Sequence, residues 1–259
     1  MRPIVVNTPL KSGTWLIRKI IMELTSLSWQ EPPLEKGMDP CDPKNIIIDP
    51  DHFFSWHFTP TGPIEEKLRN HNSLPIFVIR NIYSMIVSMY FHFADNIDAE
   101  IGRGQNQQEF FAGMSQEEGI ERIIERKAID TFNWDGVGRH LFQMQEMLRF
   151  SLVYPTLFLT FEELVEKKGD ALQKIADFLS LSITKKRIKE IAVLSDFHSM
   201  RKEAARHRVQ SHFRKGKTKG YNELITPKHR MLIEKSMETY SPQLATYLKQ
   251  KGFYYIVQF

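Results

Sequence analysis

A chain of 259 residues with 42% hydrophobic residues can bury a large core, which excludes a disordered protein and allows one sizeable α/β domain or two small ones. Cys41 is the only cysteine, so an intrachain disulfide and a clustered cysteine metal site are excluded, and a reducing compartment is favoured. The net charge is +4, but residues 201–219 contain eight Lys or Arg and one Glu, so this segment carries +7 and the rest −3.

The first 60 residues predict a strand, a tight loop, a helix and a second strand. Ile4-Val5-Val6 is a β-branched run, and apolar residues recur at helical spacing between Thr14 and Thr25. Four prolines and one glycine in residues 28–45 predict a loop.

The middle of the chain alternates strands and helices. Residues 74–80 form a continuous apolar run that ends in Arg80, which is typical of a strand buried on both faces of a parallel sheet. Residues 94–118 are polar and glycine-containing, so they predict a long lid. The other predicted elements are strands over 46–48, 53–57 and 153–159 and helices over 64–69, 83–93, 117–130, 136–150, 162–179, 184–194, 227–240 and 242–251.

This order of elements predicts an α/β fold in a single domain over residues 1–259. The sheet is expected to be central and mostly parallel, with helices on its faces. The N-terminus has too short an apolar run for a signal peptide, and no stretch reaches about 18 apolar residues. A cytoplasmic protein that makes no membrane contact is therefore expected.

Residues 8–14 (TPLKSGT) lie between the first strand and the first helix. Such a junction presents unpaired N–H groups and the positive end of a helix dipole, which suit phosphate or sulfate. Lys11 adds a full charge, and Gly13 lets the backbone approach an anion. The loop differs from a Walker A loop because Lys11 precedes Gly13 instead of following the second glycine. A solvated surface turn is the alternative reading.

Two further segments have residue types that suit phosphate. Arg80 and Asn81 end the buried strand, and an arginine there points into the crevice where α/β folds bind ligands; Ser88 lies two helical turns further on. The turn over residues 213–216 (FRKG) places paired cations beside a glycine. Alone, the first is also explained by a structural arginine and the second by a nucleic-acid-binding patch.

Together, these segments resemble the nucleotide-binding blocks of the cytosolic-type sulfotransferases in order and approximate spacing. The family patterns are P-K-S-G-T-T-W, R-N-x-x-D-x-x-V-S-x-Y-x-F and R-K-G-x-x-G, and the resemblance covers about residues 4–230. The residues that match the second pattern are Arg80, Asn81, Val87, Ser88, Tyr90 and Phe93. The resemblance implies the P-loop-like sulfotransferase fold.

The resemblance also implies an activity. A sulfuryl group would move from 3′-phosphoadenosine-5′-phosphosulfate (PAPS) to a hydroxyl or amine of a small-molecule acceptor, with release of 3′-phosphoadenosine-5′-phosphate (PAP) and without a metal. The implied contacts of the 5′-phosphosulfate are Lys11, Ser12, Gly13, Thr14 and Trp15. The implied contacts of the 3′-phosphate are Arg80, Ser88, Arg214, Lys215 and Gly216. His57 stands where the family has its catalytic histidine, so it is the expected general base, and Lys11 would stabilise the leaving group.

Competing candidates for the base are His52, His92 and His212. Three positions depart from the family pattern. Trp15 directly follows Thr14, where the family has a second threonine, so either Trp15 or another aromatic ring would stack on adenine. Phe161 replaces a tyrosine that contacts adenine in the family, and Ser55 replaces a lysine two residues before the histidine.

The acceptor is expected to lie against the end of the helix over 83–93 and the lid over 94–118. Aromatic walls with a few polar groups are typical of small-molecule pockets. The lid carries Asp95, Asp98, Glu100 and Glu109. They would suit a cationic acceptor, as in bacterial-style members of the family that tailor saxitoxin-type alkaloids in secondary metabolism. A homodimer is left open.

Three alternatives stand beside this interpretation. A P-loop-type small-molecule kinase would share the fold but needs a Walker loop and a metal-binding aspartate. A nucleic-acid-binding protein would use the basic residues 201–219, with steep salt dependence. A sulfotransferase-like protein that has lost its activity is the third.

Overall fold

The computed structural model describes residues 2–32, 42–95, 110–125, 136–206 and 221–250. The strands are β1 (Ile4–Asn7), β2 (Ser28–Gln30), β3 (His52–Trp56), β4 (Leu74–Ile79) and β5 (Leu157–Thr160). The helices are α1 (Thr14–Thr25), α2 (Gly62–Asn70), α3 (Ile82–Ala94), α4 (Gln116–Ile124), α5 (Gly138–Val153), α6 (Phe161–Glu166), α7 (Lys168–Phe178), α8 (Lys185–Leu194), α9 (Phe197–Arg206), α10 (Pro227–Tyr240) and α11 (Pro242–Gln250). Over these ranges, no helix combines the length and apolarity needed to cross a membrane.

The five strands form one sheet in the order β2-β3-β1-β4-β5, and every neighbouring pair is parallel. β1 lies at the centre, where Val5 is opposite Phe54 of β3 and Pro75 of β4. All residues of β1 and β4 are buried, as their unbroken apolar runs predict. The predicted α/β fold with a parallel sheet is confirmed.

The chain separates into two compact units. One consists of residues 1–80 and 143–196 and contains the whole sheet, and the other consists of residues 81–142 and 197–259. The number of domains stays a prediction. Most of the predicted lid (96–109) and the turn with Arg214, Lys215 and Gly216 lie outside the described residues.

Two strand predictions near the sheet edge are wrong. Ser28–Gln30 forms β2 inside the predicted loop, because Trp29 and its neighbours pair with β3. The run 46–48 forms no strand, since β2 takes the sheet edge and Pro43 begins a short 3₁₀ turn that ends at Asn45. Ile46 is buried all the same, which explains the apolar signal.

Several helix boundaries also differ from the prediction. The helix predicted over 162–179 breaks at Lys167, whose backbone leaves the helical region. A capping box between Ser115 and Glu118 starts α4 at Gln116, within the predicted lid. α5 continues to Val153, so β5 begins only at Leu157. The helix α9 lies in the basic segment, where no helix was predicted, whereas the predicted N-cap Thr226 of α10 is confirmed by its hydrogen bond from His229 N–H.

Candidate functional site

The loop between β1 and α1 has an unusual backbone. Lys11 and Gly13 both adopt positive φ, at 63° and 95°. The N–H of Ser12 donates to the carbonyl of Pro9 at 3.1 Å, and the hydroxyls of Thr8 and Thr14 are 2.7 Å apart. Gly13 is the N-cap of α1 and provides no side-chain cap, so the amide groups of the first helical turn lack that partner. This is the geometry of an anion-binding loop.

The hydroxyl of Ser12 is fully buried and has no hydrogen-bond partner among the described residues. A buried hydroxyl without a partner is costly unless a ligand supplies one. An anion at the loop would accept a hydrogen bond from it. The residues of the loop therefore fit a phosphate or sulfate group.

Gly13 is fixed by two independent constraints. A Cβ at this position would lie 2.6 Å from Cδ2 of Phe161, and φ of 95° is unfavourable for any other residue. Gly13→Ala is therefore expected to reduce the free energy of unfolding by about 2–5 kcal/mol, the sum of backbone strain and displacement of the ring. Denaturant unfolding of the variant and of the wild type measures this difference in the free energy of unfolding.

Two glycines in the same unit provide controls. Gly62 has positive φ but open space around it, and Gly169 has open space and ordinary φ. Gly62→Ala should show the strain alone, and Gly169→Ala should be neutral or slightly stabilising, because alanine favours a helix. In Gly13→Ala with Phe161→Leu, part of the loss should return. An equal loss at Gly13 and Gly62 would contradict the contribution of the ring.

Arg80 holds the loop from β4. Its Nη1 donates to the carbonyl of Lys11 at 2.9 Å, and its guanidinium lies 4.4 Å from the centre of the Phe161 ring. This places Arg80 at the loop, where its hydrogen bond holds the left-handed Lys11. Its contact with a 3′-phosphate stays a prediction. Phe161 is buried between Arg80 and Gly13, so its predicted contact with adenine has little exposed ring surface.

His57 lies beside the same loop, one residue after β3. Its Nδ1 is 2.6 Å from the carbonyl of Thr8 and 3.3 Å from the Thr8 hydroxyl, which in turn contacts Thr14. A carbonyl only accepts, so Nδ1 carries the hydrogen, and the lone pair of the neutral ring is on Nε2. The structure thus places the predicted histidine next to the predicted anion loop.

The environment keeps this histidine neutral. Burial lowers the pKa of His57 from 6.5 to about 4, and the nearby cations Arg18 and Lys11 also lower it. The hydrogen bond to Thr8 and the carboxylate of Glu31 act in the opposite direction. At neutral pH the ring is therefore a proton acceptor, as a general base must be.

The lowered pKa has a consequence for stability. Between about pH 6.5 and 4, the unfolded chain binds a proton at His57 that the folded chain does not, so stability falls as the pH falls through this window. The loss should total about 3 kcal/mol. In His57→Asn this part of the pH dependence should be absent, as urea unfolding at a series of pH values will show. The same slope in both proteins would contradict the lowered pKa.

Arg18 connects α1 to β3 beneath the site. Its guanidinium donates to the hydroxyl and the carbonyl of Ser55, at 2.9 and 2.8 Å, and to Glu31 at 2.7 Å. It also lies 5.6 Å from the ring centres of both Trp15 and Trp29. The Trp15 ring therefore packs beside Arg18 and Trp29, and its contact with adenine stays a prediction.

The sequence prediction missed three buried polar residues near the loop: Arg18, Asn7 and Gln143. Arg18 interrupts the apolar face of α1, and Asn7 ends a fully apolar strand, so both carried a signal. Gln143 carried no such signal, because its partners lie 136, 135 and 85 residues earlier in the chain.

The remaining candidates lie on β3, α1 or α3, or outside the described residues. Ser88 is half-buried on α3, in the second unit. His52 is at the start of β3, the opposite strand end from His57, and His92 is buried on α3. Trp15 is the second residue of α1, and His212 lies outside the described residues.

Among the described residues, the side chains of Glu117, Glu121 and His229 come close enough to hold a metal ion. The histidine is already used, because Nδ1 accepts from Thr226 N–H at 3.1 Å and Nε2 is 3.1 Å from the carbonyl of Glu117. Glu121 pairs with Lys228. These contacts explain the group as part of the packing of α10 on α4.

Comparisons with known proteins show the family and the fold of this chain. A family model described as a sulfotransferase domain matches residues 50–248. The structure of mouse sulfotransferase SULT7A1 complexed with PAP is similar to this chain, with a TM-score of 0.71 and 18% identity over 96% of this chain and 88% of that one. Retinol dehydratase in a complex with retinol and PAP gives a TM-score of 0.63 and 14% identity, over 94% and 82%. A search among curated proteins gave no match.

The matched range contains His57, Arg80, Ser88 and Phe161 but begins after the loop over 8–14. The similar structures, at these identities, show the fold. The case for the loop as the anion site therefore rests on its own geometry.

Proposed function

The chain belongs to the sulfotransferase family, and we propose that it transfers a sulfuryl group from PAPS to a small-molecule acceptor. The observation that carries the proposal is the contact of His57 with the loop over residues 8–14. A base and an anion-binding loop within one hydrogen bond of each other suit transfer of a charged group to a protic acceptor. The two similar structures with PAP bound support the choice of donor.

We assign the residues of the loop as follows. The hydroxyl of Ser12 and the first amides of α1 would hold the 5′-phosphosulfate, and Lys11 would neutralise charge on it. Gly13 keeps the approach clear of a Cβ. Arg80, with Ser88 and the turn over 214–216, is proposed for the 3′-phosphate, and its bond to Lys11 would connect the two ends of the donor site.

The reaction requires one proton transfer and one displacement. The acceptor oxygen or nitrogen attacks sulfur, its proton passes to Nε2 of His57, and the S–O bond to the 5′-phosphate breaks. The products are a sulfate ester or sulfamate and PAP, and His57 returns its proton to solvent. Lys11 and the loop amides stabilise the charge that grows on the leaving phosphate.

The acceptor class rests on sequence. The carboxylates of the segment 94–118 favour a cationic acceptor, such as an alkaloid. Turnover against a panel of cationic and neutral phenolic acceptors tests this, and a strong preference for neutral phenols would count against it.

Calorimetry tests the donor. The wild-type protein should bind PAP more tightly than ATP, because ATP lacks the 3′-phosphate, and more tightly than a DNA oligomer. Absence of PAP binding would end the proposal. Preferred binding of ATP with magnesium would favour the kinase, and salt-dependent binding of the oligomer would favour the nucleic-acid-binding alternative.

A further inference from the structure

The peptide group of Phe58, next to His57, is held by two buried side-chain amides. Asn7 Nδ2 donates to the Phe58 carbonyl at 2.7 Å, and Asn7 Oδ1 accepts from the Phe58 N–H at 3.1 Å. Gln143 Nε2 donates to the same carbonyl at 3.0 Å and lies 3.2 Å from Asn7 Oδ1. Both amides therefore act on one peptide group.

The position of these amides follows from the end of the β1–β3 ladder. The last backbone bond runs from Thr8 N–H to the carbonyl of Trp56 at 3.2 Å, and the next amide along the second segment, Phe58 N–H, donates to the Asn7 side chain instead of a backbone carbonyl. The Asn7 side chain offers one donor and one acceptor to Phe58, as a backbone would. Gln143 adds a donor from α5. The pairing between the chain segments that follow β1 and β3 thus continues past His57 through side-chain hydrogen bonds alone.

This arrangement fixes His57 from both sides. The ladder holds Trp56 before it and the amides hold Phe58 after it, while Nδ1 of the ring reaches the Thr8 carbonyl at 2.6 Å. We propose that Asn7 and Gln143 are positioning residues, which hold His57 against Thr8 so that the lone pair of the ring stays on Nε2. The inference rests on the proposed function, since it gives the proposed base its orientation.

The test uses the ring of His57 itself. Gln143→Met removes, at similar volume, the hydrogen bonds that Nε2 donates to Asn7 Oδ1, to the Phe58 carbonyl and, at 3.5 Å, to the Thr8 carbonyl. It leaves the Asn7–Phe58 pair, which Asn7→Ala removes. The pKa of His57 is measured by NMR titration, with its signal assigned by its loss in His57→Asn. The charged groups around the ring, Arg18, Glu31 and Lys11, are unchanged. We expect the pKa to rise by one unit or more in Gln143→Met, because the loosened segment lets water reach the ring.

The matched control is Gln145→Met, which changes the same residue type on the same helix two positions further on. It should leave the pKa of His57 unchanged. If Asn7→Ala does not fold, Gln143→Met decides alone. An unchanged pKa in folded Gln143→Met would overturn the proposal.

Kinetics give a second, independent readout. With PAPS and the best acceptor of the panel, Gln143→Met should lower kcat about 10–100-fold at unchanged PAP affinity, as a misplaced group does. In the His57→Asn background, the same substitution should cause no further loss, because Gln143 acts through His57. If Gln143→Met lowered kcat further in the His57→Asn background, the proposal would be overturned. Failure of the wild type to bind PAP would refute the proposed donor, whereas the NMR titration would still decide the role of the amides.

Discussion

His57→Asn is expected to lower kcat for sulfuryl transfer about 10²–10⁴-fold, the usual contribution of a general base. The asparagine amide can replace Nδ1 as the donor to the Thr8 carbonyl, but it provides nothing at the position of Nε2. The loop should keep its shape, so the affinity for PAP should change little. The measurement is PAP release from PAPS with the acceptor panel, together with PAP binding by calorimetry.

His52→Asn is the matched control, because His52 is a partly exposed histidine at the other end of the same strand. It should retain full activity. The pKa of about 4 makes free His57 a weak base, but an anionic donor beside the ring would raise that pKa. The acid limb of the kcat profile should therefore lie above pH 4. An unimpaired His57→Asn would refute the assignment of the base.

Lys11→Gln should lower kcat/KM about 10²–10³-fold, the effect of removing one group that stabilises developing charge. Glutamine, like lysine, has a Cβ, so the left-handed backbone at this position bears a similar cost in both proteins. The loss should appear both in PAP affinity and in kcat, because the charge acts on the bound phosphate and on the leaving group. Initial rates and calorimetry separate the two parts.

Lys11→Arg should restore part of the activity, since it restores the charge but not the geometry. Lys44→Gln is the control for a general change of charge, because the Lys44 side chain is 72% exposed and pairs only with Asp42 among the described contacts. It should leave both constants unchanged. A Lys11→Gln variant with full activity would contradict the role of the loop.

The central part of the fold could be predicted because its signals are local. The unbroken apolar runs of β1 and β4 indicate burial on both faces, and the helical spacing of α1 needs no partner to be visible. The edge of the sheet could not be predicted, because the segments around Trp29 and Ile46 compete for one position beside β3, and tertiary packing decides which of them pairs. The break at Lys167 had a local signal in Gly169, two residues further on, which the helical spacing of the apolar residues outweighed.

The site was predictable to the same extent. Lys11, Gly13 and His57 could be assigned because each stands in a pattern of neighbouring residues that a known family shares. Asn7 and Gln143 act through contacts with Phe58 that span 51 and 85 residues, which one sequence does not display. Arg80 was assigned to a phosphate, and its bond to the Lys11 carbonyl emerged only from the structure.

The central place of β1 also affects how the chain is made. Both neighbours of β1 are synthesised later: β3 begins 45 residues after Asn7, and β4 begins at Leu74. At a synthesis rate of about 5–20 residues per second, β1 leaves the ribosome several seconds before its two neighbours, and both of its edges are unpaired during that time. Because the anion loop follows this strand directly, the donor site can form only when β3 and β4 have emerged, so the nascent chain needs protection from aggregation for that interval.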